Sequence, residues 1–113
     1  MAKDAATRDA LVAEGGFGKY YTDHMVICQW DEKTGWAEPE LIPYGPISLD
    51  PATAVFHYGQ EIFEGMKAYR QPDGGFALFR PEANAKRFAR SAARLALPEM
   101  PVALFTETVE ALV

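Results

Sequence analysis

GMKAYRQPDGGFALFRPEANAKRFARSAARL, residues 65 to 95, is the stretch that decides the fold. Two short apolar runs, residues 65–70 and 76–80, flank QPDGG, whose proline and two glycines of positive φ are typical of a tight turn between antiparallel strands. Pro81 then ends the second strand and opens a helix that is predicted to run to about Leu97. The buried stripe of that helix is predicted to consist of Phe88, Ala92 and Leu95.

The residues upstream of this stretch predict a second antiparallel pair of strands. Side chains alternate between two faces over residues 20–30, DEKTG at residues 31–35 is a predicted turn, and residues 36–42 return as the partner strand. One helical turn is expected over residues 51–54, and a last helix follows Pro101. Strands followed by two helices predict the α+β class, an antiparallel sheet with helices packed on one side.

The composition restricts the class of protein. The chain has 113 residues with a formal net charge of −5, one cysteine and 12% aromatic residues, which predicts one soluble domain. The acidic balance argues against a nucleic-acid partner bound by bulk charge, and no apolar run reaches the roughly 20 residues that span a bilayer. The polar, acidic start is unlike a secretory signal, and a lone cysteine excludes a disulfide framework and a cysteine-based zinc site. A cytoplasmic protein without a membrane partner is expected.

Two segments are predicted along the chain. Residues 1–16 are interpreted as an N-terminal arm or short helix that ends at Gly15-Gly16, and residues 17–113 as one small α+β domain. The last helix carries an apolar stripe and stops without a capping glycine or asparagine. We therefore expect a truncated chain.

Positive charge is concentrated on the predicted helix of residues 81–97. Residues 80–94 hold five basic side chains and one acidic side chain, whereas the rest of the chain is strongly acidic. Arg87, Arg90 and Arg94 lie on roughly one face, and the planar guanidinium suits a phosphate or a carboxylate. Either a solvated basic face or an anion site that uses one or two of these arginines fits the pattern.

Residues 58–69, YGQEIFEGMKAY, mix aromatic rings with charged groups and glycines, as a small-molecule pocket requires. A strand with one wet face fits equally well. Lys67 and Tyr69 are predicted to share a strand face, but nothing in the sequence shows the burial that a Schiff-base lysine needs. His24 is interpreted as structural, and the spacing of His24 and His57 supports no metal site.

The chain resembles branched-chain amino-acid aminotransferases, which are pyridoxal 5′-phosphate enzymes of fold type IV. The resemblance covers residues 17 to about 101, and FEGMKAY at residues 63–69, followed by FRP at residues 79–81, is its most specific part. The other matching motifs are Phe17-Gly18-Lys19, Thr22-Asp23-His24-Met25, Ile42-Pro43-Tyr44-Gly45-Pro46, His57-Tyr58, Asn84, Arg87, Arg90-Ser91 and Arg94-Leu95. The fold implied is the small N-terminal domain of such an enzyme.

The resemblance also implies roles for individual residues. Arg87 matches the arginine that binds the cofactor phosphate. Phe17, Tyr58 and Phe63 match residues that line the pocket for the apolar side chain of the substrate. Lys67 matches a secondary position near that pocket and is not the Schiff-base lysine.

For the whole enzyme, the resemblance implies transamination of leucine, isoleucine and valine with 2-oxoglutarate, in branched-chain amino-acid biosynthesis. In this family the Schiff-base lysine belongs to a C-terminal domain, so no catalytic residue is expected in this chain. We expect an N-terminal fragment that is inactive alone, whereas the complete enzyme is expected to be a homodimer that interconverts branched-chain amino acids with their 2-oxo acids and 2-oxoglutarate with glutamate.

Three alternatives remain open. A D-amino-acid aminotransferase or an aminodeoxychorismate lyase would share the fold, and activity with L-leucine against D-alanine distinguishes the first of them. A non-enzymatic interaction domain would end at residue 113 in its own reading frame. An anion-binding module on the basic helix would bind phosphate without a spectral change from added cofactor.

Overall fold

The computed structural model, which describes residues 3–113, contains four helices and six short strands. In chain order the elements are α1 (Ala5–Glu14), β1 (His24–Ile27), β2 (Trp30–Asp31), β3 (Gly35–Trp36), β4 (Glu40–Pro43), α2 (Ala54–Tyr58), β5 (Ala68–Arg70), β6 (Phe76–Leu78), α3 (Pro81–Arg94) and α4 (Val102–Leu112). The predicted α+β class is confirmed, and every pair of strands is antiparallel.

The upstream strands form one long hairpin that is interrupted in the middle. β1 pairs with β4, with Val26 opposite Leu41, and β2 pairs with β3 near the turn. The backbone N–H of Ala37 donates to the Gln29 carbonyl at 2.8 Å, but Pro39, which follows, has no N–H to continue the ladder. The predicted pairing of residues 20–30 with residues 36–42 is therefore confirmed as two short ladders.

The second hairpin joins β5 to β6 through the predicted QPDGG turn. Gln71 closes it, because its N–H donates to the Gly75 carbonyl at 2.8 Å and its carbonyl accepts from Gly74 N–H at 3.0 Å. Of the two glycines in this turn, only Gly74 adopts a positive φ, which is 88°. The expectation that both glycines supply positive φ is wrong at Gly75, where the Asp73 carboxylate accepts from the Gly75 N–H at 2.9 Å. The described strands thus make three two-stranded ladders rather than one continuous sheet.

α3 begins at the predicted Pro81 and ends earlier than predicted. Ala96 adopts a left-handed φ of 54°, and Leu97 N–H turns back to the Ala92 carbonyl at 2.9 Å, which terminates the helix after Arg94. Of the predicted stripe, Ala92 is buried and Phe88 is half-buried, with its ring 5.2 Å from that of Phe105 on α4. Leu95 lies beyond the helix end and is exposed, so its predicted burial is wrong.

α4 packs against both α3 and β1 and so covers the core between these two elements. The predicted last helix after Pro101 is confirmed. The indole Nε1 of Trp36 donates to the Glu99 carbonyl at 3.1 Å and ties the long hairpin to the segment before α4. The two helices and the hairpin therefore share one small core.

The N-terminal arm is helical where the structure describes it. Asp4 caps α1 by accepting from the Thr7 N–H at 2.8 Å, and Gly15 ends the helix with φ of 66°. Residues 1 and 2 of the predicted arm lie outside the described residues. The helical turn expected over residues 51–54 lies slightly later, as α2, and no helix of the described part of the chain is long and apolar enough to cross a membrane.

A large apolar surface is exposed. The accessible surface is 8,937 Å², whereas a monomeric protein of this mass exposes about 6,200 Å². The radius of gyration is 15.9 Å, against about 13 Å for a compact domain of this length. Among the described residues only Ala85 and Ala92 are buried apolar side chains, both on α3. The fold therefore has a thin core and broad apolar faces.

Candidate functional site

An ion pair between Arg87 and Glu64 connects the predicted basic helix to the segment FEGMKAY. Arg87 Nε donates to Glu64 Oε2 at 2.7 Å, and Arg87 Nη2 donates to Glu64 Oε1, so the contact is bidentate. The Glu64 side chain is only 4% exposed, whereas that of Arg87 is 61% exposed. One partner is thus anchored inside the fold, and the other extends into solvent.

Asn84 holds the same carboxylate from the other side. Its Nδ2 donates to Glu64 Oε1 at 2.9 Å and to the Gly65 carbonyl at 3.0 Å. The backbone N–H of Gly65 also donates to Glu64 Oε1 at 3.0 Å. Every atom that these contacts require is supplied by α3 or by residues 64–65.

The local fold explains why these groups meet. Asn84 and Arg87 are three residues apart on α3, so their side chains lie on neighbouring positions of one helix face. The segment that carries Glu64 is fixed to the far end of the same helix, because Gln60 Nε2 donates to the Leu95 carbonyl at 2.8 Å. A helix and an irregular segment are thereby fastened at two points.

The electrostatics of the pair follow from these contacts. The Arg87 guanidinium, with help from Asn84 and the Gly65 N–H, holds the pKa of the Glu64 carboxyl at about 2 against the opposing effect of burial. Glu64 in turn raises the pKa of Arg87 above its usual value. Both groups are therefore charged at neutral pH.

Arg87 retains donors for a second ligand. A guanidinium has five N–H donors, and Glu64 takes one from Nε and one from Nη2. No other hydrogen bond of Arg87 occurs within residues 3–113. The Nη1–Nη2 edge is a planar fork of the kind that binds phosphate or carboxylate bidentately. The donor set at this edge therefore fits a phosphate group.

The other basic residues of the helix are different. Arg90 and Arg94 are exposed and form no ion pair with any described residue. Arg87 is thus the arginine of the predicted cluster that the fold fixes in place, while Arg90 and Arg94 remain a solvated face. The sequence left both interpretations of the cluster open: a solvated face describes Arg90 and Arg94, and an anion site at Arg87 stays a prediction.

The predicted pocket residues do not form an enclosed pocket in this chain. Phe17, Tyr58 and Phe63 are exposed by 97%, 86% and 78% of their surfaces. A Cβ atom at position 65 would be 3.6 Å from Phe63 Cε1. The Phe63 ring is therefore close to Gly65, the residue after Glu64.

Lys67 precedes β5 and is exposed, with no hydrogen bond to any described residue. The shallow depression beside β5 is lined by Tyr69 and Phe79 but not by Lys67. Lys67 and Tyr69 therefore do not line this depression together. An exposed amine lacks the desolvation that a Schiff-base lysine requires.

Larger cavities lie elsewhere. One of about 530 Å³ separates α1 from the start of β1 and is lined by Lys3, Tyr20, Asp23 and His24 among others. Asp23 is paired there with Lys3, not with its neighbour His24. An apolar cleft of about 480 Å³ lies between β1 and α4.

Within residues 3–113 no group of three His, Cys, Asp or Glu side chains could hold a metal ion.

Glu64 is the functional candidate that sequence reasoning missed. It lies in the motif FEGMKAY, but the sequence offers no sign that a glutamate there pairs with an arginine 23 residues later. The available signal was the basic helix itself, since an isolated arginine cluster in an acidic chain needs an acidic partner near one of its members. That signal does not identify which of the 16 acidic residues is the partner.

Comparison with known proteins places the chain beside one group of enzymes. It is 58% identical over 106 residues to a probable branched-chain-amino-acid aminotransferase of Streptomyces coelicolor, and that match covers 94% of this chain but 29% of the relative. It is 56% identical to the branched-chain-amino-acid aminotransferase of Mycolicibacterium smegmatis over 96% of this chain and 29% of that protein. The cytosolic enzyme of that name from Saccharomyces cerevisiae is 52% identical over 73% of this chain and 22% of its own length. No protein-family model matches the chain.

Proposed function

We propose, because the chain is a homologue of branched-chain amino-acid aminotransferases over nearly its whole length, that it forms the small N-terminal domain of such an enzyme. The complete enzyme would transfer the amino group of leucine, isoleucine or valine to 2-oxoglutarate. The chain spans about 29% of the length of these relatives, so the activity belongs to the complete polypeptide. The 58% identity to one of them is the observation that carries the proposal.

Pyridoxal 5′-phosphate is the cofactor that this function requires. When bound, it supplies an electron sink for breaking the bond between the α-carbon and hydrogen of the amino acid. Arg87 would hold the phosphate, and its unused Nη1–Nη2 edge supports this role because it presents two parallel donors. In the complete enzyme, the lysine that attaches the cofactor covalently would belong to the C-terminal domain.

Phe17, Tyr58 and Phe63 would provide apolar surface for the branched side chain of the substrate. Their large exposed areas support this role, since a pocket wall must present apolar surface that the fold has not already buried. Burial of each methylene of the substrate would contribute about 0.8 kcal/mol. Lys67, exposed in the same segment, would lie near the pocket as a secondary substrate residue.

The complete enzyme is proposed to be a cytoplasmic homodimer. The broad apolar faces of this chain support association with another protein surface, either of the same polypeptide or of a second copy. Sedimentation of the complete polypeptide tests this, and a dimer is expected at micromolar concentration.

The direct test is a coupled assay on the complete polypeptide that carries this chain. We expect glutamate to form from 2-oxoglutarate with L-leucine, L-isoleucine and L-valine as donors, and no turnover with D-alanine. Turnover with D-alanine in place of L-leucine would identify a D-amino-acid aminotransferase instead. Absence of turnover with every donor, in protein that has bound the cofactor, would contradict transamination.

A further inference from the structure

The Glu64–Arg87 ion pair orients the arginine that is predicted to bind the cofactor phosphate. An exposed arginine side chain samples many rotamers, and fixing it on a ligand costs side-chain entropy. Arg87 is 61% exposed, yet its guanidinium is fixed by two hydrogen bonds to a carboxylate that is almost fully buried. The cost of ordering Arg87 is therefore met before any ligand arrives.

The carboxylate itself is fixed more firmly than an ion pair alone would achieve. Glu64 accepts from Arg87, from Asn84 and from the Gly65 N–H, so both of its oxygens are engaged. Asn84 also donates to the Gly65 carbonyl at 3.0 Å, which ties the backbone next to Glu64 to α3. This network supports the carboxylate from three directions and leaves the guanidinium in one orientation.

We propose that Glu64 is a positioning residue for cofactor binding: it holds the Nε–Nη2 edge of Arg87 and so directs the Nη1–Nη2 edge toward the phosphate of pyridoxal 5′-phosphate. Asn84 supports Glu64 in this role. The proposal rests on the proposed function, because it requires Arg87 to bind that phosphate.

Charge alone predicts the opposite effect of Glu64. A carboxylate next to Arg87 cancels part of its positive charge and repels a phosphate dianion, so its removal would tighten phosphate binding. Positioning predicts that its removal weakens binding, because Arg87 then loses its fixed orientation. The sign of the change in affinity therefore decides between the two roles.

The test is a titration of the complete apoprotein with pyridoxal 5′-phosphate and, separately, with pyridoxal, followed by absorbance. In Glu64→Gln one amide oxygen replaces the carboxylate, so the bidentate contact is lost while the shape is kept. We expect this variant to bind pyridoxal 5′-phosphate about tenfold more weakly and pyridoxal with unchanged affinity. A change confined to the phosphorylated ligand is what a general loss of structure would not produce.

Glu61→Gln is the matched control, since Glu61 lies in the same segment, is exposed and forms no ion pair with a described residue. It should bind both ligands as the wild type does. Glu64→Asp keeps the charge but shortens the side chain, and positioning predicts that it is as weak as Glu64→Gln. If Glu64→Gln does not fold, Asn84→Ala, which removes only the supporting amide, should weaken binding of the phosphorylated ligand several-fold.

The outcomes separate this inference from the proposed function. Wild-type protein that shows no absorbance change with pyridoxal 5′-phosphate would overturn both. A wild type that binds it, with Arg87→Ala weakened but Glu64→Gln equal or tighter, would overturn the positioning role alone. Wild-type affinity in Glu64→Asp would likewise overturn it, because charge rather than position would then suffice.

Discussion

Arg87 is divided between two tasks at the scale of a single residue. One edge of its guanidinium completes a buried carboxylate, and the other edge is available to a ligand. Lysine could not serve both, because an ammonium is a point charge without a second fixed edge. The predicted role of Arg87 therefore depends on geometry as much as on charge.

Removal of the Arg87 side chain should weaken binding of the cofactor. We expect Arg87→Ala in the complete polypeptide to raise the dissociation constant for pyridoxal 5′-phosphate at least tenfold, because a charge-assisted contact to a dianion is lost. Equilibrium titration of the apoprotein measures it. Arg90→Ala, on the same helix but without an ion pair to a described residue, is the matched control. Equal affinities for wild type and Arg87→Ala would remove Arg87 from the site.

The pH dependence of stability provides a second prediction for Glu64. Its pKa falls from 4.5 to about 2 on folding, so the ionised pair stabilises the fold above about pH 4.5, and this contribution is lost as the pH falls toward 2. Wild type should exceed Glu64→Gln in urea midpoint at pH 7, and the gap should close below pH 4.5. Allowing for screening around exposed Arg87, the gap at pH 7 is about 1–2 kcal/mol. A gap independent of pH would mean that Glu64 is not an ionised partner.

At the scale of elements, α3 joins the core to the candidate site. Its buried face carries Ala85 and Ala92, seven residues apart, while Asn84 and Arg87 project from the same helix toward Glu64. α3 packs against α4, and the Phe88 and Phe105 rings form part of that contact. A shift of α3 against the core would therefore also move Asn84 and Arg87.

Overpacking of α3 tests this connection. Ala92→Leu places three further carbons at a fully packed position and should cost about 1–3 kcal/mol of stability. Ala93→Leu adds the same atoms at the adjacent exposed position and should change stability by less than about 0.5 kcal/mol. Urea unfolding of both variants measures the difference. Equal midpoints would show that Ala92 is not closely packed.

The elements themselves were largely predictable, because their signals are local. The turn QPDGG, the proline at the start of α3 and the alternation around Val26 each lie within a few residues of what they determine. The end of α3 was missed because Ala96 adopts a left-handed backbone that its sequence does not announce. The Glu64–Arg87 pair was missed because it joins residues that only the folded chain brings together.

At the scale of the whole molecule, the surface area is the dominant fact. The chain exposes roughly 2,700 Å² more than a compact protein of its mass would. Exposed rings such as Phe17, Tyr58 and Phe63 account for part of this excess. Exposed apolar rings of this kind are typical of surfaces that contact other protein.

The 113-residue chain alone should therefore lack enzymatic function. We expect no glutamate from L-leucine and 2-oxoglutarate, because no desolvated lysine is present among the described residues to hold the cofactor covalently. The same sample should bind a hydrophobic dye such as ANS strongly. Turnover in a preparation free of host transaminase would contradict this prediction, and a mock purification from the same host is the control.

The Trp36–Glu99 hydrogen bond has a consequence for the order of events on the ribosome. The long hairpin is translated before α4 and can close by itself, since its partner strands are near neighbours in the chain. Its apolar face packs against α4, which is translated later, and this bond holds the segment that leads into α4. That face of the nascent hairpin therefore stays exposed to solvent until α4 has been translated, and uncovered apolar surface of this kind is prone to aggregation.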